Sequence, residues 1–257
     1  MGESTSQNRT ALVTGSAKRI GKAIAKALGA DGWNVAVHYN RSVSDAEALV
    51  ENIQSLGVHA SAVQCDLSDA AAVDGLISEC NSRLGPLTCL INNASLFEFD
   101  DPPNFDPATW DRHAAVNLRA PLQLAREFAD QMPKQNIGCV INMLDQKVFN
   151  LNPDFFSYTL TKVAMESATR MLAMTLAPRV RVCGIAPGIT LISGKQTQPG
   201  FDRAHAHAPL GHSSDIDDIV AAVRYVLSAK SMTGSTLLID GGQHLWPLQR
   251  DVQFKVE

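Results

Sequence analysis

The sequence predicts one α/β domain, doubly wound, with a seven-stranded parallel sheet and helices on both faces. Three observations carry this expectation. Apolar runs of strand length alternate with helical stretches from Thr10 to Ile239. The strand runs are continuously apolar, as strands buried on both faces are. No linker or composition shift divides the 257 residues, a length one α/β domain can fill. In such folds ligands gather at the carboxyl ends of the strands.

Residues 1–8 are polar and are expected to be a flexible N-terminus, with the domain spanning 9–257. Thr10 to Thr14 reads as a short buried strand that ends at Gly15. Ile20, Ala23, Ile24, Ala27 and Leu28 then recur at helical spacing until Gly29 and Gly32 stop the helix. Trp33 to Tyr39 is the second strand, and a helix over about 43–56 ends at Gly57. Val58 to Gln64 is the third strand. Ser68 and Asp69 read as caps of a helix over about 69–83, broken by Gly85 and Pro86. Leu87 to Ile91 is the fourth strand.

A polar, proline-rich loop over 98–106 leads into a long helix over about 107–131, with Pro133 beyond it. Ile137 to Met143 is the fifth strand, and a helix runs from about 155 to 177. Val180 to Ile185 is the sixth strand. Residues 190–213, rich in glycine and proline, are expected to be irregular and to act as a substrate loop or lid. A helix over about 215–229, a strand from Ser235 to Ile239 and a polar, aromatic tail complete the chain.

Composition narrows the function. The net charge of −4 argues against nonspecific nucleic-acid binding, which rests on a basic surface. Cys65, Cys80, Cys89, Cys139 and Cys183 include no CxxC pair, and several lie in apolar runs. Buried reduced thiols and a cytoplasmic setting are expected. No apolar run approaches the ~18–20 residues that span a bilayer, and the N-terminus lacks the layout of a signal peptide. Met1-Gly2 and Asn8-Arg9-Thr10 match modification patterns by chance.

Three places carry chemistry. After the first strand, Gly15 to Gly21 forms a turn into a helix, where backbone amides and the helix N-terminus suit a pyrophosphate. Lys18 and Arg19 add positive charge. At the end of the second strand, NAD-binding folds carry an acid for the ribose hydroxyls. Here the run is His38, Tyr39, Asn40, Arg41 and Ser42, with no acid. Arg41 with Ser42, and His38 beside them, suits a 2′-phosphate and favours NADP(H) over NAD(H). Third, Tyr158 and Lys162 lie four residues apart on one helical face. An ammonium beside a phenol is expected to lower the phenol's pKa and make it a usable acid near neutral pH.

In this order and spacing the motifs resemble the short-chain dehydrogenase/reductase family over nearly the whole chain. They are Thr14-Gly15 to Gly21, Cys65 to Asp69, Asn92 to Ser95, Asn117, Tyr158 with Lys162, Pro187-Gly188 and Asp240 to Gly242. Within that family the chain is similar to the pteridine reductase and dihydromonapterin reductase branch. The residues are Thr14 to Gly21, with Arg19 in place of the middle glycine, His38 to Ser42, Asn92 to Phe97, and Asp145 where the general family has serine.

The resemblance implies a Rossmann fold, NADP(H) as cofactor and a homotetramer. It implies cofactor contacts from Gly15, Lys18, Arg19, Ile20, Gly21, His38, Tyr39, Asn40, Arg41 and Ser42. Asp66 and Leu67 would border the adenine. Asn93, Ala94, Ser95 and Met143 would line the cofactor, and Pro187, Gly188 and Thr190 would hold its nicotinamide end. Lys162 would bind the nicotinamide ribose, and Asn117 would hold a water-linked proton path. Arg19, Ser95, Phe97, Asp145 and Tyr158 would face the substrate, with Phe97 stacking on a flat heterocycle.

Asp145 has a physical argument of its own. A hydroxyl donates to the negative charge that develops on a carbonyl oxygen, whereas an ionised carboxylate repels it. An imine in a pterin ring needs a proton delivered to nitrogen, which an Asp–Tyr pair can relay. The expected activity is therefore NADPH-dependent reduction of a pteridine-like small molecule such as dihydropterin or dihydrofolate, with Asp145, Tyr158, Lys162 and Asn117 as the catalytic set. Two alternatives stand beside it: a general carbonyl reductase, and a non-catalytic NADP sensor that kept the fold. No metal is expected. His205 and His207 have ligand-like spacing but no clear third ligand, and a lid or solvated role suits them. Phe155 and Phe156 read as core or interface.

Overall fold

Successive residues of the first strand face different helical layers: Ala11 and Val13 join one apolar cluster and Leu12 the other. That alternation, repeated across a parallel sheet, requires helices on both faces. The computed structural model describes residues 9–194 and 196–255, and the N-terminal segment expected to be flexible lies outside them. The first half contains β1 (Thr10–Val13), α1 (Arg19–Ala30), β2 (Asn34–Tyr39), α2 (Val43–Gln54), β3 (Ala60–Gln64), α3 (Ala70–Val73), α4 (Leu76–Leu84), β4 (Cys89–Asn92), α5 (Pro107–Ala114) and α6 (Ala120–Gln131). There follow β5 (Gly138–Met143), α7 (Phe156–Leu176), β6 (Val180–Pro187), α8 (Gln198–Ala206), α9 (Ile216–Ser228), β7 (Thr236–Ile239) and α10 (Val252–Lys255).

All seven strands pair in parallel in the order β3-β2-β1-β4-β5-β6-β7. The chain winds outward from β1 to β3, returns to β4, and winds outward the other way. The direction reverses between β1 and β4, where a crevice opens beyond the carboxyl ends of the strands. Residues of α1, α2 and α9 pack on one face of the sheet. Residues of α4, α6 and α7 pack on the other. Each fully buried leucine or isoleucine in these layers, such as Leu28, Leu49, Ile77 and Leu124, contributes roughly 1.5–3 kcal/mol.

Three elements differ from expectation. The helix expected over 69–83 is two helices, α3 and α4, separated at Asp74 and Gly75. Asp69 caps α3 by accepting from Ala71 N at 2.9 Å, whereas Ser68 turns back to Asp66. Glycine is a poor helix interior residue. The helix over 107–131 contains a π-helical turn at Ala115–Arg119. Pro121 has no N–H to bond the carbonyl of Asn117, four residues back, and its ring crowds that carbonyl. The loop expected to be irregular over 190–213 contains α8, capped by Thr197. Pro199 falls in the first turn of α8, where proline's missing N–H costs nothing. The tail also folds, with a 3-10 turn at Gln243–Leu245 and α10.

Candidate active site

A cleft of about 550 Å³ opens at the carboxyl ends of β1, β4, β5 and β6. One end of it, expected to take the phosphates, is built by the turn after β1. Gly15 has φ 62°, a conformation glycine adopts without steric cost. Its N–H donates to Nδ1 of His38 at 2.9 Å. Because Nδ1 accepts, the ring proton sits on Nε2, which donates to the carbonyl of Cys65 at 3.1 Å. Burial pushes the His38 pKa down to about 4. His38 is therefore a neutral strut between two turns, with both ring nitrogens engaged by the protein and neither directed at a 2′-phosphate.

Gly21 faces Asn93 across the crevice. A Cβ at Gly21 would strike Asn93 Nδ2 and the carbonyl of Gly15. The same Nδ2 donates to the carbonyls of Thr14 at 2.8 Å and Gly15 at 3.3 Å, so the close approach of α1 to the end of β4 shapes the turn. Lys18 pairs with Asp45 at 3.0 Å. Arg19 has φ 56°, a backbone region that costs a non-glycine residue about 1–2 kcal/mol. Its Nη1 donates to the carbonyl of Ile192 at 2.7 Å, which ties the turn after β1 to the segment after β6. Gly15, Lys18, Arg19, Ile20 and Gly21 all line the cleft.

At the end of the cleft beyond β2 and β3, Asn40, Asp66 and Leu67 line the wall. Hydrogen bonds from the Ser68 hydroxyl and N–H, at 2.7 and 2.9 Å, hold the Asp66 carboxyl below its usual range. Tyr39, Arg41 and Ser42 are not part of the wall. Arg41 is exposed and has no ion pair among the described residues. Asn93, Ala94, Ser95 and Met143 line the middle, and Pro187, Gly188 and Thr190 the far side. Gly188 N donates to the carbonyl of Ile239 at 2.8 Å, and Thr190 Oγ1 lies 2.8 Å from Ser214 Oγ.

The end expected to be catalytic joins β5, the turn after it, and α7. Tyr158 donates its phenolic proton to Oδ2 of Asp145 at 2.7 Å. Oδ1 of Asp145 accepts from the N–H of Lys147 at 2.8 Å. Lys162 Nζ donates to the carbonyl of Met143 at 2.7 Å and lies 5.5 Å from the centre of the Tyr158 ring. Burial, and then the charge and hydrogen bond of Asp145, push the Tyr158 pKa well above its usual value. Burial also raises Asp145 and lowers Lys162 to about 8. The expectation that Lys162 lowers the phenol is thus overturned. The helical spacing brings the ammonium under the ring, but its proton is directed at a carbonyl, and the neighbour of the hydroxyl is a carboxylate. The geometry holds Tyr158 as a proton donor.

Asn117 stands in the π-helical turn and not in the cleft wall. Its Oδ1 accepts from Leu96 N at 2.7 Å and its Nδ2 donates to Leu96 O at 2.9 Å. The side chain therefore staples the segment after β4 that carries Ser95 and Phe97. Phe97 lines the cleft with one face already stacked on Phe155, at 4.1 Å and 17°. Its edge meets Tyr158 at 4.7 Å. His205 and His207 diverge, the first toward the carbonyl of Ser214 and the second against Trp246.

Several wall residues went unread in the sequence: Gln146, Lys147, Gln243, Asp251, Val252 and Gln253. Lys147 was findable from its place two residues after Asp145. The tail residues carry no local signal, because they reach the site only through the fold.

The short chain dehydrogenase family model matches residues 9–199. A 3-oxoacyl-[acyl-carrier-protein] reductase, FabG, of Staphylococcus aureus is 31% identical over 92% of this chain and 98% of its own. The crystal structure of FolM alternative dihydrofolate reductase 1 from Brucella canis, complexed with NADP, is 44% identical. It covers 93% of this chain and 95% of its own, with a TM-score of 0.88. A short chain dehydrogenase from Burkholderia cenocepacia in complex with NADP is 30% identical over 92% of this chain and 98% of its own, with a TM-score of 0.86. The matched stretch spans well over half of the sequence, and the chain belongs to the short chain dehydrogenase family of oxidoreductases.

Proposed function

We propose that this oxidoreductase reduces pteridine-like substrates, of the dihydropterin or dihydrofolate class, with NADPH. The observation that carries the reading is the buried hydrogen bond from Tyr158 to Asp145. A carboxylate at this point would repel the oxyanion of a ketone reduction. It suits a reaction in which a ring nitrogen takes up a proton. The likeness to a dihydrofolate reductase over nearly the whole chain supports the same substrate class.

The cleft fits NADP(H). The turn at Gly15 and Gly21 leaves a cradle that side chains would fill, no acid ends β2, and Arg41 is exposed beside Asp66. When bound, the cofactor supplies a hydride to a ring carbon of the substrate. Gly15 and its neighbours would hold the pyrophosphate, Arg41 and Ser42 the 2′-phosphate, and Lys162 the nicotinamide ribose. Phe97 flanks the heterocycle. Tyr158 gives up its proton to the ring nitrogen, and Asp145, whose affinity for protons burial raises, takes one up from solvent and hands it to the phenolate. Arg19, bonded to Ile192, closes the substrate loop over the site.

NADPH oxidation measured on dihydropterins, dihydrofolate, ketones and a 3-oxoacyl thioester tests the reading. Turnover of the pterins supports it. Turnover of carbonyl substrates alone selects a carbonyl reductase, the activity named for the FabG relative. Tight NADPH binding without turnover selects a sensor. We also propose assembly as a homotetramer in the cytoplasm. The exposed apolar hollow of Pro102, Phe105, Trp110, Phe156 and Leu160 supports self-association, and light scattering on the purified protein tests it.

A further inference from the structure

The segment after β7 returns to the catalytic turn. Arg250 Nε donates to both carboxylate oxygens of Asp154, at 3.0 and 2.8 Å, and the N–H of Asp251 donates to the same group at 2.6 Å. Phe254 stacks on Phe155 at 6.1 Å and extends the row that begins at Phe97. Within this docked segment, Asp251 Oδ2 accepts from Lys147 Nζ at 2.8 Å, and its Oδ1 accepts from Gln253 N at 3.1 Å. Lys147 Nζ also donates to Asn152 Oδ1 at 2.8 Å. Its side chain is only 3% exposed, and a buried ammonium is costly unless paired. The backbone N–H of the same lysine holds Oδ1 of Asp145.

We propose that Lys147 and Asp251 are a positioning pair, in which the C-terminal segment supplies the counter-charge that seats the Asp145-bearing turn and balances the field at the Asp145–Tyr158 couple. The role rests on that couple being the acid of the reaction, whichever substrate is reduced. The charged and titratable groups facing the couple are few. Lys162 approaches from α7, Lys147 from the turn after β5, and Asp251 from the tail. His113 of α5 lies 6.5 Å from the Tyr158 ring. Asp154 and Arg250 neutralise each other. Lys147 favours the ionised couple and Asp251 the protonated one, so the bonded pair nearly cancels and removing either partner unmasks the other.

The test reads the alkaline limb of the kcat–pH profile, where the buried cluster of Asp145, Tyr158 and Lys162, all within the same field, loses its first proton. Asp251→Asn leaves an unbalanced ammonium and moves the limb down by about one pH unit. Lys147→Met leaves an unbalanced carboxylate and moves it up by about as much. The double variant returns the limb to near its wild-type place, as does Asp251→Glu alone. A stationary limb in both single variants, or shifts of the same sign, overturns the proposal, however far kcat falls. Either single variant that folds decides by the sign of its own shift. NMR titration of the Asp145 carboxyl carbon, assigned with Asp145→Asn, reads the same signs without substrate. A wild-type enzyme that reduces ketones and not dihydropterins refutes the substrate proposal but leaves this test standing, since the profile is then read on the ketone.

Discussion

The phenolic oxygen of Tyr158 donates a 2.7 Å hydrogen bond to Asp145, not to Lys162. Two buried groups thus share one proton site in an enclosed part of the cleft: burial raises the proton affinity of both, Asp145 raises that of Tyr158 further, and the hydrogen bond from Tyr158 partly offsets the rise at Asp145. A phenol so held is an acid that stays protonated at neutral pH. Reduction with protonation of a nitrogen uses that state directly.

Removing Tyr158 removes the acid, and removing the Asp145 carboxyl removes the group that resupplies it. Tyr158→Phe and Asp145→Asn are each expected to lower kcat on dihydropterin about 10²–10⁴-fold, with NADPH affinity nearly unchanged. Stopped-flow NADPH oxidation with a separate cofactor titration checks this. An equal loss in cofactor affinity would place the pair in binding and not in chemistry.

Arg41 tests the cofactor. Arg41→Ala is expected to weaken NADPH binding about 10–100-fold, the worth of a charge-assisted hydrogen bond to phosphate. NADH affinity should hardly move. Fluorescence titration with both nucleotides reads the ratio, and equal losses would refute a 2′-phosphate contact.

His38 sets an acid limit. Its folded pKa, about 4, lies below the ordinary 6.5. Between those values the unfolded chain binds the extra proton, so stability is full above pH 6.5 and is lost as pH falls through 4. The loss is roughly 3 kcal/mol. His38→Gln should flatten this slope in thermal melts taken across the window. An unchanged slope would mean that another group carries it.

Lys162 acts at the other end of the scale. Its folded pKa of about 8 lies below 10.5. Between those values the unfolded state holds more protons, so stability rises with pH across the window. Lys162→Met is expected to abolish the rise. A rise that survives the substitution would show that the lysine is not held in this buried setting.

Gly21→Ala tests the crevice. The added methyl meets Asn93 and the Gly15 carbonyl. Destabilisation of about 1–3 kcal/mol is expected, together with weaker NADPH binding, because the same contact shapes the phosphate turn. Denaturant melts and a cofactor titration check the two effects.

Much of this was legible in the sequence alone. Continuous apolar strands alternating with amphipathic helices define a parallel sheet covered twice, and the glycine turn after β1, with no acid ending β2, marks the phosphate end. Asp145, Tyr158 and Lys162 were recognisable as a group. Periodicity states which residues are neighbours on a helix, but not which atom a proton is aimed at. Only the tertiary structure turned Lys162 toward Met143 and gave the phenol to Asp145. It also buried His38 as a neutral strut, and brought Asp251 across the chain to Lys147. These outcomes depend on desolvation and on contacts between distant segments. Neither is written in local spacing, because both exist only once the core has closed and water has left the groups concerned.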